Sequence, residues 1–207
     1  MLAIVDYGVG NLFSLESSLA AIGVETVVTA DPAVLEKADQ IILPGVGAFG
    51  EAAEKLRKSG LDKQVIALAK AGKPLLGICL GMQMLFEKSF EFGEYDGLGL
   101  IPGCVRSIAE AVPADYKIPH IGWNALNFKQ ESPLFAHIKD GDFVYFVHSF
   151  YATDCDESVI ATTEYGAELT AAVARGNVFG CQFHPEKSGE VGLNILKAFA
   201  ERGTAKC

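Results

Sequence analysis

Four short apolar runs occupy the first 80 residues: LAIV from residue 2, TVV from 26, QIIL from 40 and PLLGI from 74. Each is joined to the next by a stretch with helical spacing: NLFSLESSLAAIG closed by Gly23, DPAVLEKA, then AFGEAAEKLRKSG and LDKQVIALAKAG, each ending in glycine. Runs of four or five residues suit strands, and strands that alternate with helices line up in parallel, because each crossover must carry the chain back to the same edge. A parallel sheet needs cover on both faces. From about Gly97 the texture changes to short alternating runs, IGWNALNF, DFVYFVHSFYA, SVIATTEY and LTAAVARGNVFGCQF, separated by turn residues, which predict mostly antiparallel strands. The chain closes on SGEVGLNILKAFAERG, whose apolar positions recur at helical spacing behind a capping Ser188. The predicted fold is α/β: a single-domain three-layer sandwich with a mixed, mostly parallel central sheet, helices on both faces and a β-rich antiparallel second half, flavodoxin-like in plan.

Composition narrows the setting. With 207 residues, half of them hydrophobic, one core is the simpler reading. No apolar run approaches the roughly 20 residues of a membrane-spanning helix, and Asp6 interrupts the first run with no basic leader before it. A cytoplasmic protein is expected. A net charge of -9, spread along the chain, argues against nucleic acid or an anionic membrane as partner and favours a small molecule or a protein. The five cysteines, Cys79, Cys104, Cys155, Cys181 and Cys207, contain no CxxC pair and are read as thiols, with neither a disulfide framework nor a metal site.

One of these thiols has an informative setting. PLLGICLGMQMLF, residues 74–86, places Cys79 between two glycines where a strand gives way to the helical pattern LGMQMLFEK. That is the form of a nucleophile elbow, a tight turn whose flanking glycines let neighbouring backbone approach. A lone cysteine is commonly a core residue; the glycine bracket at a strand-to-helix junction favours a nucleophile, with the Leu80 N–H able to face an oxyanion. A cysteine nucleophile needs a base, and the base a group to orient it. His184 in CQFHPEKS follows an apolar strand and has Glu186 two residues on, so Cys79, His184 and Glu186 form a candidate triad; His120 and His148 remain open as bases, and His137 is read as a surface residue. LPGVGAFG, residues 43–50, sets three glycines between a strand and a helix, where backbone N–H groups can meet an anion.

Taken together, GICLGMQ and FHPEKS resemble the class I, or triad, glutamine amidotransferases. Within them, DYGVGN, LPGVGAFG, GLGLIPG, IPHIGWN and YFVHSF resemble the glutaminase subunits of imidazole glycerol phosphate synthase, over residues 4 to about 200. The resemblance implies a glutamine amidotransferase domain over 1–207 that hydrolyses L-glutamine to glutamate and ammonia through a Cys79 thioester. His184 would shuttle protons and Glu186 would orient it. The oxyanion would meet Leu80 and the backbone of Gly45, Val46 and Gly47, and glutamine would be held by Gly47, Gln83, Glu91, Ser149 and Phe150. No cofactor is implied. The implied partner is the cyclase subunit of the synthase, a (βα)8 barrel, in a heterodimer contacted through Tyr7, Asn11, Trp123, Tyr145 and Lys187, with the PGVG loop as a switch. Three alternatives stay open: a triad glutaminase serving nucleotide, anthranilate or pyridoxal phosphate synthesis, a cysteine hydrolase of another amide or ester, and a non-catalytic flavodoxin-like binding module.

Overall fold

A computed structural model describes residues 1–203; Cys207 lies outside the described residues. Strands β1 (Leu2–Val5), β2 (Thr26–Thr29), β3 (Gln40–Leu43) and β4 (Leu75–Ile78) alternate with helices α1 (Leu12–Ala21), α2 (Pro32–Lys37), α3 (Phe49–Lys58) and α4 (Leu61–Lys70), and α5 (Leu80–Gln83) follows β4 directly. The second half holds β5 (Lys88–Ser89), β6 (Tyr95–Asp96), β7 (Cys104–Ser107), β8 (His120–Ala125), β9 (Asn127–Phe128), β10 (Phe143–His148), β11 (Phe150–Thr153), β12 (Val159–Glu164), β13 (Glu168–Arg175) and β14 (Val178–Cys181), before α6 (Gly189–Glu201).

The main sheet runs β2-β1-β3-β4-β14-β13-β12-β9. Its first five strands are parallel, the last three antiparallel. This is the mixed sheet the sequence predicts, but the two halves are not laid end to end. β14 enters the parallel half beside β4, pairing Gly180 with Gly77 and Cys181 with Ile78. The residues that follow β4 and β14, Cys79 and His184, are thereby delivered to the same end of the sheet, the carboxyl end, where α/β proteins bind ligands. Helices cover both faces: Leu35, Phe49, Leu56 and Val65 of α2, α3 and α4 pack on one side, and Leu15, Leu19, Ile195 and Phe199 of α1 and α6 on the other. Truncating a buried phenylalanine of this kind to alanine costs about 3–5 kcal/mol. Two smaller sheets, the β8–β10 ribbon and β11-β7-β5-β6, stand outside the main one. Among the described residues no helix is long and apolar enough to cross a membrane.

Two local expectations fail for physical reasons. The helix predicted over LGMQMLFEK ends at Gln83, because the carbonyls of Met84, Leu85, Phe86 and Glu87 accept hydrogen bonds from residues 97–101 rather than from a continuing helix. Gly97 makes this possible, since a Cβ there would lie 2.0 Å from the Phe86 oxygen. Ser188 does precede α6, yet its side chain caps nothing in that helix.

Candidate active site

Cys79 is left at φ 53°, ψ −112°, a conformation uncommon for a residue with a side chain. Its N–H donates to the Cys181 carbonyl at 2.8 Å, extending the β4–β14 ladder by one bond, and its carbonyl accepts from Gln83 N–H at 3.1 Å, which starts α5. The turn is therefore pinned on both sides, as such strain requires. The glycine bracket is a packing demand: a Cβ on Gly81 would lie 1.9 Å from the Leu43 oxygen, and one on Gly77 2.6 Å from the Gly81 oxygen. Cys79, 8% exposed, lies on a cleft of about 380 Å³ that His184, Gln83, Glu91 and Phe150 also line.

His184 is buried and its Nδ1 lies 2.8 Å from Glu186 Oε1, with both side chains only 4% exposed. The Cys79 thiol and the Glu186 carboxylate both act on the ring, and with Nδ1 engaged by Glu186 the nitrogen left free is Nε2. Burial alone would lower the His184 pKa, but Cys79 and Glu186 outweigh it and raise it to about 10, so the ring holds its proton beside the sulfur. The other histidines are engaged elsewhere. His148 is buried, which pushes its pKa down to about 3, and its Nδ1 donates to the Phe150 carbonyl at 2.9 Å. That fixes the tautomer, leaving Nε2 to meet His120 Nδ1 at 3.0 Å. His120 is likewise lowered by burial, and His137 is a surface group 2.7 Å from Glu201.

The other described thiols lie outside the cleft. Burial pushes Cys155 up to about 11 and Cys181 well above the ordinary thiol range, and Cys104 donates to Asp154 Oδ2 at 3.1 Å. Cys79, Cys104, Cys155 and Cys181 are all unpaired, and no three acidic, His or Cys side chains among the described residues are grouped to hold a metal ion.

Gln83 is buried, its Nε2 donating to the Phe150 carbonyl at 3.1 Å and to Gln182 Oε1 at 3.0 Å. Glu91 is buried too. Its Oε2 accepts from the Phe49 N–H at 2.7 Å, doing for α3 what Ala48 at the N-cap lacks a side chain to do. Burial raises its pKa, and the Phe49 N–H partly offsets this. Ser149, Phe150, Leu80, Val46 and Gly47 line the same cleft. Gly45 instead lies beneath the loop, where a Cβ would fall 2.8 Å from Gly81 N.

Of the residues expected at a partner face, Trp123 is 52% exposed and packs edge-to-face on half-buried Tyr145, with centroids 6.1 Å apart. Lys187 is exposed at the cleft mouth, and half-buried Asn11 caps α1 through Oδ1. Tyr7 must be corrected: it is 6% exposed, and its hydroxyl donates to the Pro44 carbonyl at 2.8 Å, so it props the PGVG loop from below instead of meeting a partner. Burial, with Cys79 adding to it, drives its pKa up. The β8–β10 register, Trp123 opposite Tyr145 and Ile121 opposite Val147, puts exposed Ile121 and Phe143 on the same outer face.

Three features escape motif reading. Gln182, fully buried, bridges Gln83 and Cys79, its Nε2 3.7 Å from Sγ; a lone glutamine inside the apolar run VFGCQF was its only signal. Phe92 sits at φ 53°, 85% exposed, over Phe150 at the cleft mouth, with ring centroids 5.7 Å apart. The third is the inward turn of the Ser188 hydroxyl, read in the sequence as a helix cap, toward His184 and Tyr145.

Residues 3–202 match the family model for glutamine amidotransferase class-I. The chain is 52% identical over 199 residues to the imidazole glycerol phosphate synthase subunit HisH of Bacillus cytotoxicus, covering 96% of this chain and 93% of that protein. It is 48% identical over 202 residues to the protein of the same name from Caldanaerobacter subterraneus subsp. tengcongensis, covering 97% and 98%. Among solved structures, PurLQS from Thermotoga maritima superposes with a TM-score of 0.76 at 22% identity over 97% of each chain, a likeness of fold.

Proposed function

The chain belongs to the class-I glutamine amidotransferases, and from that premise we propose that it is the glutaminase subunit of an imidazole glycerol phosphate synthase in histidine biosynthesis. The observation that carries the reading is the meeting of Cys79, on its elbow, with a His184 ring held by Glu186, in one cleft.

The chemistry follows from those positions. Cys79 Sγ attacks the side-chain amide carbon of L-glutamine, and the amide oxygen becomes an oxyanion. The Leu80 N–H at the start of α5 and an N–H of the Gly45–Val46–Gly47 loop stabilise it; one such donor is commonly worth about 100- to 1,000-fold in rate. His184 gives its proton to the departing nitrogen, which leaves as ammonia, and a γ-glutamyl thioester remains. Water attacks that thioester with His184 as base, Cys79 departs and glutamate is released. Glu186 keeps the ring in one tautomer throughout. Gln83, Gly47, Ser149 and Phe150 frame the substrate, and the carboxylate of Glu91 at the cleft wall meets its ammonium group.

The ammonia passes to a cyclase subunit, a (βα)8 barrel, which uses it to make imidazole glycerol phosphate and the aminoimidazole carboxamide ribonucleotide. The partner seats on the aromatic outer face of the β8–β10 ribbon, with Trp123 and Tyr145 as anchors and Asn11 and Lys187 at its edge. Glutamine turnover is low in the lone chain and rises when the loaded partner reorients the PGVG loop. The test is Cys79→Ala in the assembled complex. Synthesis from glutamine should vanish while synthesis from added ammonia continues; surviving use of glutamine would refute the nucleophile.

A further inference from the structure

Ser188 stands where a hydroxyl ordinarily caps the first turn of a helix, a service worth about 1 kcal/mol. Its hydroxyl makes no bond to α6. Its Oγ is turned back to donate to the His184 carbonyl at 2.6 Å and to accept from the Tyr145 N–H at 3.0 Å. The His184 N–H in turn donates to the Tyr145 carbonyl at 3.0 Å. One edge of β10 pairs with β8, so at Tyr145 the other edge is given over entirely to the turn that carries the base. The knot is dry, with Ser188 1% exposed. From the opposite side α6 closes on the same turn: a Cβ on Gly192 would lie 1.9 Å from the Pro185 oxygen and 2.8 Å from Ser188 Cβ. The base is thus clamped between a helix and the strand whose outer side carries Tyr145 and Phe143.

We propose that Ser188 is a positioning residue that makes the backbone of Tyr145 and of His184 move as one unit, so that pressure on the exposed aromatic face of β8–β10 reaches the triad base. The inference rests on the functional reading above and adds the route by which a docked partner acts on His184. A backbone shift at His184 changes the ring's bond to Glu186 and its approach to Cys79 together, and displacement by about 1 Å at a reacting group can cost around a hundredfold in rate. The hydroxyl's choice of these two backbone groups over the helix it precedes is what a positioning role requires.

The experiment uses the assembled complex with the cyclase partner and compares Ser188→Ala, Ser188→Gly and wild type for glutamine turnover across pH, with ammonia-dependent synthesis as the measure of an intact complex. The expected result is a kcat for glutamine about tenfold lower or more, KM within about twofold, and unchanged use of ammonia. The alkaline limb of kcat/KM should move to lower pH, because loosening the contacts with Glu186 and Cys79 removes what holds the His184 pKa near 10 against burial, with His148 neutral beside it. Partner stimulation should shrink in the same variants. If Ser188→Ala does not fold, Ser188→Gly, tolerated at helix starts, decides by the same readouts. Wild-type kcat, limb and stimulation in the variants would overturn the bridge. So would a loss of turnover with the limb unmoved, which a merely structural role produces. A wild-type complex that turns over no glutamine would overturn the functional reading itself and with it the bridge, an outcome visible before any variant is measured.

Discussion

Two glycine-rich segments line the cleft, and they use glycine for opposite ends. In the elbow, Gly77 and Gly81 have no room for a methyl group, and backbone lies on backbone where β3, β4 and α5 meet. In the PGVG loop, Gly47 has φ +90° and nothing within 4 Å of a would-be Cβ, and Val46 beside it is 41% exposed. The elbow is a fixed platform that stores strain at Cys79; the loop is held at Pro44 by Tyr7 and at Gly45 against Gly81, and open from Val46 onward. The contrast teaches how one site can keep a finished nucleophile and base while leaving its oxyanion donor to be set.

The contrast breaks most visibly at Gly81. Gly81→Ala drives a methyl into the Leu43 carbonyl and should cost roughly 3 kcal/mol or more, read as a lowered urea midpoint; a near-wild-type midpoint would mean that the platform is not rigid. Gly47→Ala meets no atom, so its stability loss should stay near 1 kcal/mol, the strain of a left-handed alanine. If the loop is the switch, its partner-stimulated glutamine turnover should nonetheless fall about a hundredfold.

His148, buried and neutral, lines the same cleft. Its folded pKa of about 3 is far below the ordinary histidine value, so the unfolded chain binds the extra proton first. Stability is then complete above about pH 6.5 and is lost as pH falls toward 3, by up to roughly 1.4 kcal/mol per unit from this group. His148→Asn, which keeps a donor for the Phe150 carbonyl, should flatten that slope; an unchanged Tm–pH curve would show that the ring is not held neutral. The smallest effect is expected at the rim. Phe92→Gly relieves a left-handed backbone and removes a ring from the cleft mouth. Stability should change by less than about 1 kcal/mol while KM for glutamine rises a few fold and kcat holds.

The parts of this site that were legible are those set by chain-local geometry. The βα rhythm, the glycine bracket at Cys79 and the His-x-Glu spacing each express a turn or a strand end within a few residues. What was hidden depends on contacts distant in sequence. α5 stops at Gln83 because residues 97–101 claim the carbonyls that follow, Tyr7 is buried because Pro44 lies above it, and Ser188 deserts its helix for Tyr145, 43 residues away. The placement of β14 beside β4, which unites Cys79 and His184, is of the same kind. No periodicity announces which late strand joins an early sheet.

The central claim, that Cys79 is the covalent nucleophile readied by His184, is tested most directly by acid-quenching the assembled complex during glutamine turnover and mapping thioesters by peptide mass spectrometry. A γ-glutamyl adduct on the peptide carrying Cys79, absent when His184 is replaced by asparagine, is the predicted result. Turnover with no adduct, or with one on Cys104, Cys155 or Cys181, would contradict it.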